Sequence, residues 1–200
     1  MSSSTASKRW EPKSTRLLRQ YAHEAGGTFH SASLKGFKYT PQAAKVNLSH
    51  GRGELKVRVV DSGDHGSSGS QEYVVVTYDF RPRRKLKFYL VSKKQLALHA
   101  FDRDYRETTM PNHLLAKVFK AGASHPSILR AILKYEPFAD DLLVHPFSDI
   151  RLKIKGNMAT LTYKESAKKP DVEMIQDKVD VVKHLIEALY EQSVVYEGTH

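Results

Sequence analysis

The sequence predicts an α+β fold in which helices pack on one face of an antiparallel sheet. Runs such as "ELKVRVV" and "EYVVVTYDF" place apolar residues at every second position, which is typical of strands with one buried face. Segments with helical spacing come before and after these runs instead of alternating with them. We therefore expect strands joined by hairpins, because an α/β fold would alternate strands with helices.

The chain is predicted to open with a disordered lead over residues 1–13, which are rich in Ser and Lys. Ser14 or Thr15 is then expected to cap a helix through "TRLLRQYAHEAGG", in which the apolar residues follow helical spacing. The pair Gly26-Gly27 ends this helix. A single α+β domain is predicted over residues 14–192, and a C-terminal tail over residues 193–200.

Four strand-like runs follow: "KVNL", "ELKVRVV", "EYVVVTYDF" and "LKFYLV". The Gly- and Ser-rich residues 61–70 are interpreted as a long hairpin loop between two of them. A second turn is expected at "RPRRK", because Pro82 cannot continue a strand. The predicted arrangement is an antiparallel meander.

The second half of the chain is predicted to form two helices, a hairpin and a last helix. The helices are "MPNHLLAKVFKAG" and "HPSILRAILKYEPF", each with apolar residues on one side. In "IRLKIKGNMATLTY", alternating strands flank Gly156-Asn157, which is typical of a two-residue hairpin turn. Asp171 is expected to cap the last helix, "VEMIQDKVDVVKHLIEALYEQ".

Composition excludes several classes of function. The chain has 200 residues and no cysteine, which rules out disulfides, cysteine nucleophiles and zinc–thiolate sites. No apolar run approaches the roughly 20 residues of a membrane span, and the N-terminus has no apolar signal region, so a cytoplasmic location is expected. The formal net charge of +10 indicates either an anionic partner or a protein kept soluble by self-repulsion.

The densest group of reactive side chains is "HAFDRDYRETTMP", residues 99–111. A hydrolase or metal site here would use His99, Asp102 and Asp104, although the neighbouring arginines would repel a cation. The alternative is structural, with Phe101 and Tyr105 packed and the charged residues solvated or paired. We predict no catalytic residue, no metal ligand and no cofactor, and keep the hydrolase as a minor hypothesis.

A basic segment between Arg81 and Lys94 contains no acidic residue. Its cations are Arg81, Arg83, Arg84, Lys85, Lys87, Lys93 and Lys94. Such a hairpin, with Tyr89 facing a ligand beside the lysines, would bind a phosphate backbone and stack a base. The same charges would equally protect a sheet edge from aggregation.

Residues 17 to about 190 resemble a widespread bacterial domain family of unknown function. The resemblance rests on the opening helix, the strands "GRGELKVRV" and "YVVVTYDF", the segment "FDRDYRETTMPNHLLAKVF", the "IRLKIKGNMATLTY" hairpin and the last helix. In that family a Phe-Asp-Arg-x-aromatic segment precedes a helix with paired leucines. The matching residues here are Phe101, Asp102, Arg103, Tyr105, Leu114 and Leu115. The resemblance implies a shared fold and no recognised catalytic residues.

Two functional hypotheses remain open. The first is a non-catalytic binding or assembly module that docks on a protein partner through its sheet face or an exposed helix. The second is a nucleic-acid-binding protein that uses residues 81–94 and the basic N-terminus. Steep salt dependence of binding would distinguish the second from the first.

Overall fold

The computed structural model describes residues 11–49, 52–61, 71–94 and 104–196. They form a nine-stranded antiparallel sheet, a separate two-stranded ribbon and five helices, which confirms the predicted α+β class. In chain order the elements are α1 (Lys13–Glu24), β1 (Thr28–His30), β2 (Ser33–Lys35), β3 (Lys38–Thr40), β4 (Ala43–Asn47), β5 (Glu54–Asp61), β6 (Glu72–Phe80), β7 (Phe88–Ser92), β8 (Arg106–Glu107), α2 (His113–Val118), β9 (Phe119–Ala123), α3 (Pro126–Ile132), α4 (Glu136–Val144), β10 (Asp149–Lys155), β11 (Met158–Ala167) and α5 (Val172–Glu191).

The helices cover one face of the sheet. In β5 the side chains of Leu55 and Val57 are fully buried, while Lys56 and Arg58 between and beside them are partly exposed. The 20-residue helix α5 packs against β6 and against α1, α3 and α4. Asp171 caps α5 as predicted, since its side chain accepts a hydrogen bond from the backbone N–H of Met174. One continuous core therefore lies between the sheet and the helical layer.

The predicted hairpin at "RPRRK" is wrong. The strand order is β1-β4-β5-β6-β11-β10-β7-β9-β8, so the β10–β11 hairpin lies between β6 and β7. Because β6 pairs with β11 along its whole length, from Glu72 to Phe80, that side of β6 is not open to β7. Residues 81–87 instead cross the end of this hairpin, and Leu86 closes the core there with no exposed surface.

Part of a predicted helix is also a strand. The segment "VFKAG" leaves α2 at Val118 and continues as β9, which pairs with both β7 and β8. The helical spacing of its apolar residues is overridden because β9 fills the free side of β7. The next predicted helix is divided into α3 and α4, where Pro137 lies in the first turn of α4.

The folded region extends slightly past the predicted boundaries. Helix α1 begins at Lys13, and the chain beyond α5 is part of the core, since Val194 and Val195 are buried. Val195 forms a β-bridge with Pro82, and the backbone N–H of Arg83 donates to the carbonyl of Val194 at 2.7 Å. Residues 193–196 therefore hold the crossing segment in place instead of forming a free tail.

Candidate nucleic-acid interface

The side of the central strands that points away from the helices carries many basic side chains. We call this surface the open face. It comprises the outward residues of β4, β5, β6, β11 and β10. Its cations are Lys45, Lys56, Arg58, Lys164, Arg151, Lys153 and Lys155. Each alternates with an inward residue, as Arg151 and Lys153 do with Ile150 and Leu152.

The strand register places these cations in rows across the sheet. One row runs through Lys45, Lys56, Thr77, Thr162 and Arg151. A second row runs through Arg58, Val75, Lys164 and Asp149. Because neighbouring strands lie about 4.8 Å apart, the five strands form a basic surface about 19 Å wide.

The carboxylates of the open face are all ion-paired. The pairs are Lys45–Glu54 at 2.7 Å, Lys56–Asp79 at 2.9 Å and Arg151–Asp149 at 2.8 Å. Among the described residues, no carboxylate lies within ion-pair distance of Arg58, Lys153 or Lys155. The ammonium of Lys164 lies 3.9 Å from the ring centroid of Tyr73. Positive charge is therefore left uncompensated on this surface.

Asp79 is an example of an open-face carboxylate that is bound to neighbouring side chains of the same protein. Partial burial raises the pKa of its carboxyl, but hydrogen bonds from Thr160 and Lys56 outweigh this, so that the pKa lies below its ordinary value. Thr160 donates to Oδ1 at 2.6 Å and Lys56 donates to Oδ2 at 2.9 Å. Asp79 is thus ionised and engaged, and it does not offset the cations farther along the face.

Five of the cations predicted from the sequence extend the open face at one end of the sheet. Arg81, Arg83, Arg84 and Lys85 are exposed and Lys87 is half-exposed. Residues 81–87 begin after Phe80, which pairs with Ala159, and end before Phe88, which pairs with Leu152. They therefore cross the end of the sheet at the β10–β11 hairpin, and the register puts Lys87 level with Lys153 of the neighbouring strand. We call these seven residues the basic end.

The backbone of the basic end is held at several points. The N–H of Tyr196 donates to the carbonyl of Arg81 at 3.1 Å, and the N–H of Lys87 donates to Oγ of Ser124 at 3.0 Å. The burial of Leu86 fixes the segment near its C-terminal end. An irregular segment that is anchored in this way presents its cations from defined positions.

Lys93 and Lys94 belong to a different surface. Strand β7 lies between them and Lys87, and six residues of extended chain span roughly 20 Å. Lys93 donates to the carbonyl of Ala116 at 2.5 Å, and the Nζ of Lys94 lies 5.2 Å from the ring centroid of Phe147. The predicted single basic site is therefore divided between the two ends of β7.

The prediction that Tyr89 faces a ligand is wrong. Its side chain is only 8% exposed and makes an edge-to-face contact with Tyr105, with 5.4 Å between ring centroids. The ring covers Gly122 so closely that a Cβ there would lie 2.6 Å from it. Burial, and then the charge of Glu107, raise the pKa of the Tyr89 hydroxyl. The ring is packed and offers no free face for stacking.

The segment proposed for a hydrolase, residues 99–111, is described only from Asp104 onward. His99, Asp102 and Arg103 belong to the part that the structure does not describe. Asp104 is described: it is exposed, and its Oδ2 lies 3.6 Å from the Nζ of Lys87. The edge-protection alternative for residues 81–87 does not fit, because the edge strands of the described nine-stranded sheet are β1 and β8.

The sequence reasoning missed a buried cluster of charged and polar groups beneath α5. Oε2 of Glu165 accepts hydrogen bonds from the Tyr163 hydroxyl at 2.8 Å and from the ammonium of Lys178. His145 Nδ1 lies 3.0 Å from the same oxygen. Glu165 and Lys178 are 6% and 4% exposed, and Tyr163 is fully buried. The signal was visible, because Glu165 continues the inward positions of β11 and Lys178 lies among the apolar residues of α5.

This cluster fixes α5 to the sheet. Burial raises the pKa of Glu165, but contacts with His145, Lys178 and Tyr163 lower it more, so the pKa is below its ordinary value. Burial and the neighbouring carboxylate raise the pKa of Tyr163. Glu165 is therefore a carboxylate and Tyr163 a neutral hydrogen-bond donor. The polar groups of this cluster bind one another, and this arrangement is typical of a structural role.

Comparison of the chain with protein-family models, curated proteins and solved structures gives no match. The resemblance to a bacterial domain family stays a prediction. Within the described residues no helix has the length and apolar character needed to cross a membrane. The open face and the basic end are therefore the features of the molecule that indicate a function.

Proposed function

We propose that the protein binds the phosphate backbone of nucleic acid across the open face and the basic end. The observation that carries this proposal is the uncompensated charge of Arg58, Lys153 and Lys155, which continues into the exposed arginines of residues 81–84. Cations that neutralise phosphates release condensed counterions, and this release supplies sequence-independent affinity. A cytoplasmic location is part of the same proposal.

The shape of the surface supports this proposal. Strand β6 has nine residues, so the open face extends about 30 Å along this strand from the basic end. Its backbone hydrogen bonds to β5 and β11 keep the cations of those strands at fixed spacing. A rigid basic surface of this size is large enough to follow several consecutive phosphates. Phosphate contacts of this kind set position and affinity but do not read sequence.

A binding assay with a matched control tests the proposal. Fluorescence anisotropy of labelled mixed-sequence DNA and RNA is followed from low to moderate salt for the wild type, Lys153→Glu with Lys155→Glu, and Lys13→Glu with Arg16→Glu. Lys13 and Arg16 are exposed on α1, in the helical layer. Both double variants change the net charge equally. We expect the first to lose binding by about tenfold or more and the second to stay near wild type.

Three results would contradict the proposal. The first is absence of binding to any oligonucleotide even at low salt. The second is an equal loss for both double variants, because that would show a response to net charge and not to the open face. A log–log plot of affinity against salt with a slope near zero would also exclude phosphate binding.

A second candidate function, docking of a protein partner, is favoured by an apolar patch on the helical layer. Leu114, Val144 and Phe147 are 44%, 74% and 41% exposed. A pocket of about 150 Å³ lies between Val118, Pro146 and Phe147 and is rimmed by Lys93, Lys94 and Lys117. Exposed apolar surface inside a polar rim is typical of interaction sites. The basic rim fits an acidic segment that carries an apolar anchor residue.

Affinity capture from the host, with and without nuclease, separates the two candidates. Partners that survive nuclease and are lost with Leu114→Asp plus Phe147→Asp would support protein docking. Partners that are lost on nuclease digestion, and lost with Lys153→Glu plus Lys155→Glu, would support nucleic-acid binding.

A further inference from the structure

The ribbon of β2 and β3 projects from the sheet as an extension of a strand pair. Strands β1 and β4 pair as far as His30 and Ala43, and the chain between them forms the ribbon. Residues 31–40 are all exposed. At its base, Gln42 accepts a hydrogen bond from Thr15 Oγ1 at 2.6 Å and donates one to Ser14 Oγ at 3.1 Å. The base is thus attached to α1, while the rest points into solvent.

The register divides the ribbon into an aromatic–apolar side and a cationic side. Leu34 lies opposite Tyr39 on one side, and Lys35 lies opposite Lys38 on the other. Gly36 and Phe37 form the turn, where Gly36 has a φ of +60°, which favours glycine. Leu34 and Tyr39 are 70% and 64% exposed, and Phe37 is completely exposed.

Three features of the ribbon are unfavourable for the free energy of the isolated chain. A two-stranded ribbon is marginally stable by itself, and like charges directly opposite each other destabilise a strand pair. Large exposed hydrophobic side chains lose the free energy that burial would give. A ligand that covers the rings and places an anion between Lys35 and Lys38 would relieve all three costs.

The surrounding sequence restricts the charge of that ligand. No Asp or Glu occurs between Glu24 and Glu54, whereas that stretch contains Lys35, Lys38, Lys45 and Arg52. The ribbon leaves β4 at Ala43, while the other end of β4 is level with Glu54 and so with the end of β6 that leads to the basic end. The ribbon and the basic end therefore lie at opposite ends of the open face.

We infer that the ribbon is a stacking arm for the unpaired bases of a single-stranded nucleic acid. Phe37 and Tyr39 provide ring faces for bases, and Lys35 and Lys38 contact the adjoining phosphates. A single strand presents planar apolar rings and negative charges in alternation, which matches both sides of the ribbon. This inference rests on the proposed function, and it adds the class of nucleic acid and the residues that recognise it.

The test uses a single-stranded oligonucleotide that contains 2-aminopurine, whose fluorescence reports stacking. The full chain is compared with Phe37→Ala, with Phe37→Trp, and with Phe147→Ala, which removes a partly exposed phenylalanine from the helical layer. Phe37→Ala removes one of the two stacking rings, and it is expected to weaken binding about tenfold and to reduce the fluorescence change. Phe37→Trp and Phe147→Ala are expected to behave as the wild type. Thermal melting shows that each variant is folded.

The lysine pair is tested by salt dependence. Lys35→Gln with Lys38→Gln is expected to reduce the log–log salt slope by about 1.4, the value for two phosphate contacts on a single strand. Phe37→Ala should leave that slope unchanged. The inference is overturned if Phe37→Ala binds and stacks as the wild type does, or if it weakens binding to anionic lipid vesicles while the oligonucleotide signal persists. In both cases salt-dependent binding by the open face would remain intact, whereas absence of all oligonucleotide binding would refute the proposed function itself.

Discussion

The two faces of the sheet differ in how their charged side chains are paired. On the covered face, Glu165 and Lys178 are buried against each other and every polar group of their cluster has a partner. On the open face, Arg58, Lys153 and Lys155 have no carboxylate within ion-pair distance among the described residues. Glu165 lies on β11, next to the strand β10 that carries Lys153 and Lys155. Charge on the covered face therefore serves folding, whereas charge on the open face remains available to a partner.

The outward side of the sheet is itself divided. Over β7 and β9 the outward side is closed by the packing of Tyr89 on Gly122 and against Tyr105. Over β5, β6, β11 and β10 most outward side chains are polar and at least partly accessible, whereas Val75 is buried. The binding surface that we propose is accordingly limited to the central strands and the basic end.

Breaking the buried cluster should produce the largest loss of stability. Glu165→Gln leaves the ammonium of Lys178 buried without an opposite charge, which is expected to lower the free energy of unfolding by about 3–5 kcal/mol. Urea denaturation measures this change. On the open face, Lys153→Met should alter stability by less than about 0.5 kcal/mol.

A double variant separates the charge from the packing. Glu165→Leu with Lys178→Met replaces both charges with apolar side chains, and we expect it to recover most of the stability that Glu165→Gln loses. If Glu165→Gln and Lys153→Met were equally mild, the contrast between the two faces would be wrong.

Acid should weaken the covered face next. The folded-state pKa of Glu165 is lower than its ordinary value of 4.5. Its ionised form therefore contributes stability above about pH 4.5, and this contribution is lost as the pH falls through the lowered folded-state pKa. Urea titrations at a series of pH values should show a steeper fall in stability below pH 4.5 for the wild type than for Glu165→Gln. Parallel curves would contradict the assignment of Glu165 as a buried carboxylate.

The closed part of the outward side should respond more moderately. Gly122→Ala introduces a Cβ at 2.6 Å from the Tyr89 ring, and overpacking of this kind costs about 1–3 kcal/mol. Adding Tyr89→Leu should restore part of the stability, because the ring that obstructs the Cβ is removed. Thermal melting of the single and double variants measures both effects. An unchanged melting temperature for Gly122→Ala would mean that Tyr89 does not cover this glycine.

The class of fold was predictable because local alternation determines which strands bury one face. Leu55 and Val57 alternate with Lys56 and Arg58, and Gly156 supplies the hairpin turn between β10 and β11. The neighbour of β6 was not predictable, because β6 pairs with a hairpin that lies far along the chain. In the same way, "VFKAG" became a strand because β7 had a free side there, which depends on tertiary contacts.

The candidate site was predictable only in part. The cations of residues 81–87 are visible in the sequence as an acid-free run, and the structure shows them on the surface. Their continuation into Lys153 and Lys155 requires the strand order, since these residues belong to a separate hairpin. For Tyr89, alternation predicts which side the ring occupies, but not that Tyr105 and Gly122 close that side.

Lysine footprinting in the presence of nucleic acid tests the central claim most directly. The protein is acetylated with and without a saturating oligonucleotide, and the modification of each lysine is measured by mass spectrometry. The account predicts protection of Lys153, Lys155 and Lys164, while the exposed Lys13 and Lys134 of the helical side react as before. Equal protection of all five lysines, or protection of Lys13 and Lys134 alone, would contradict it.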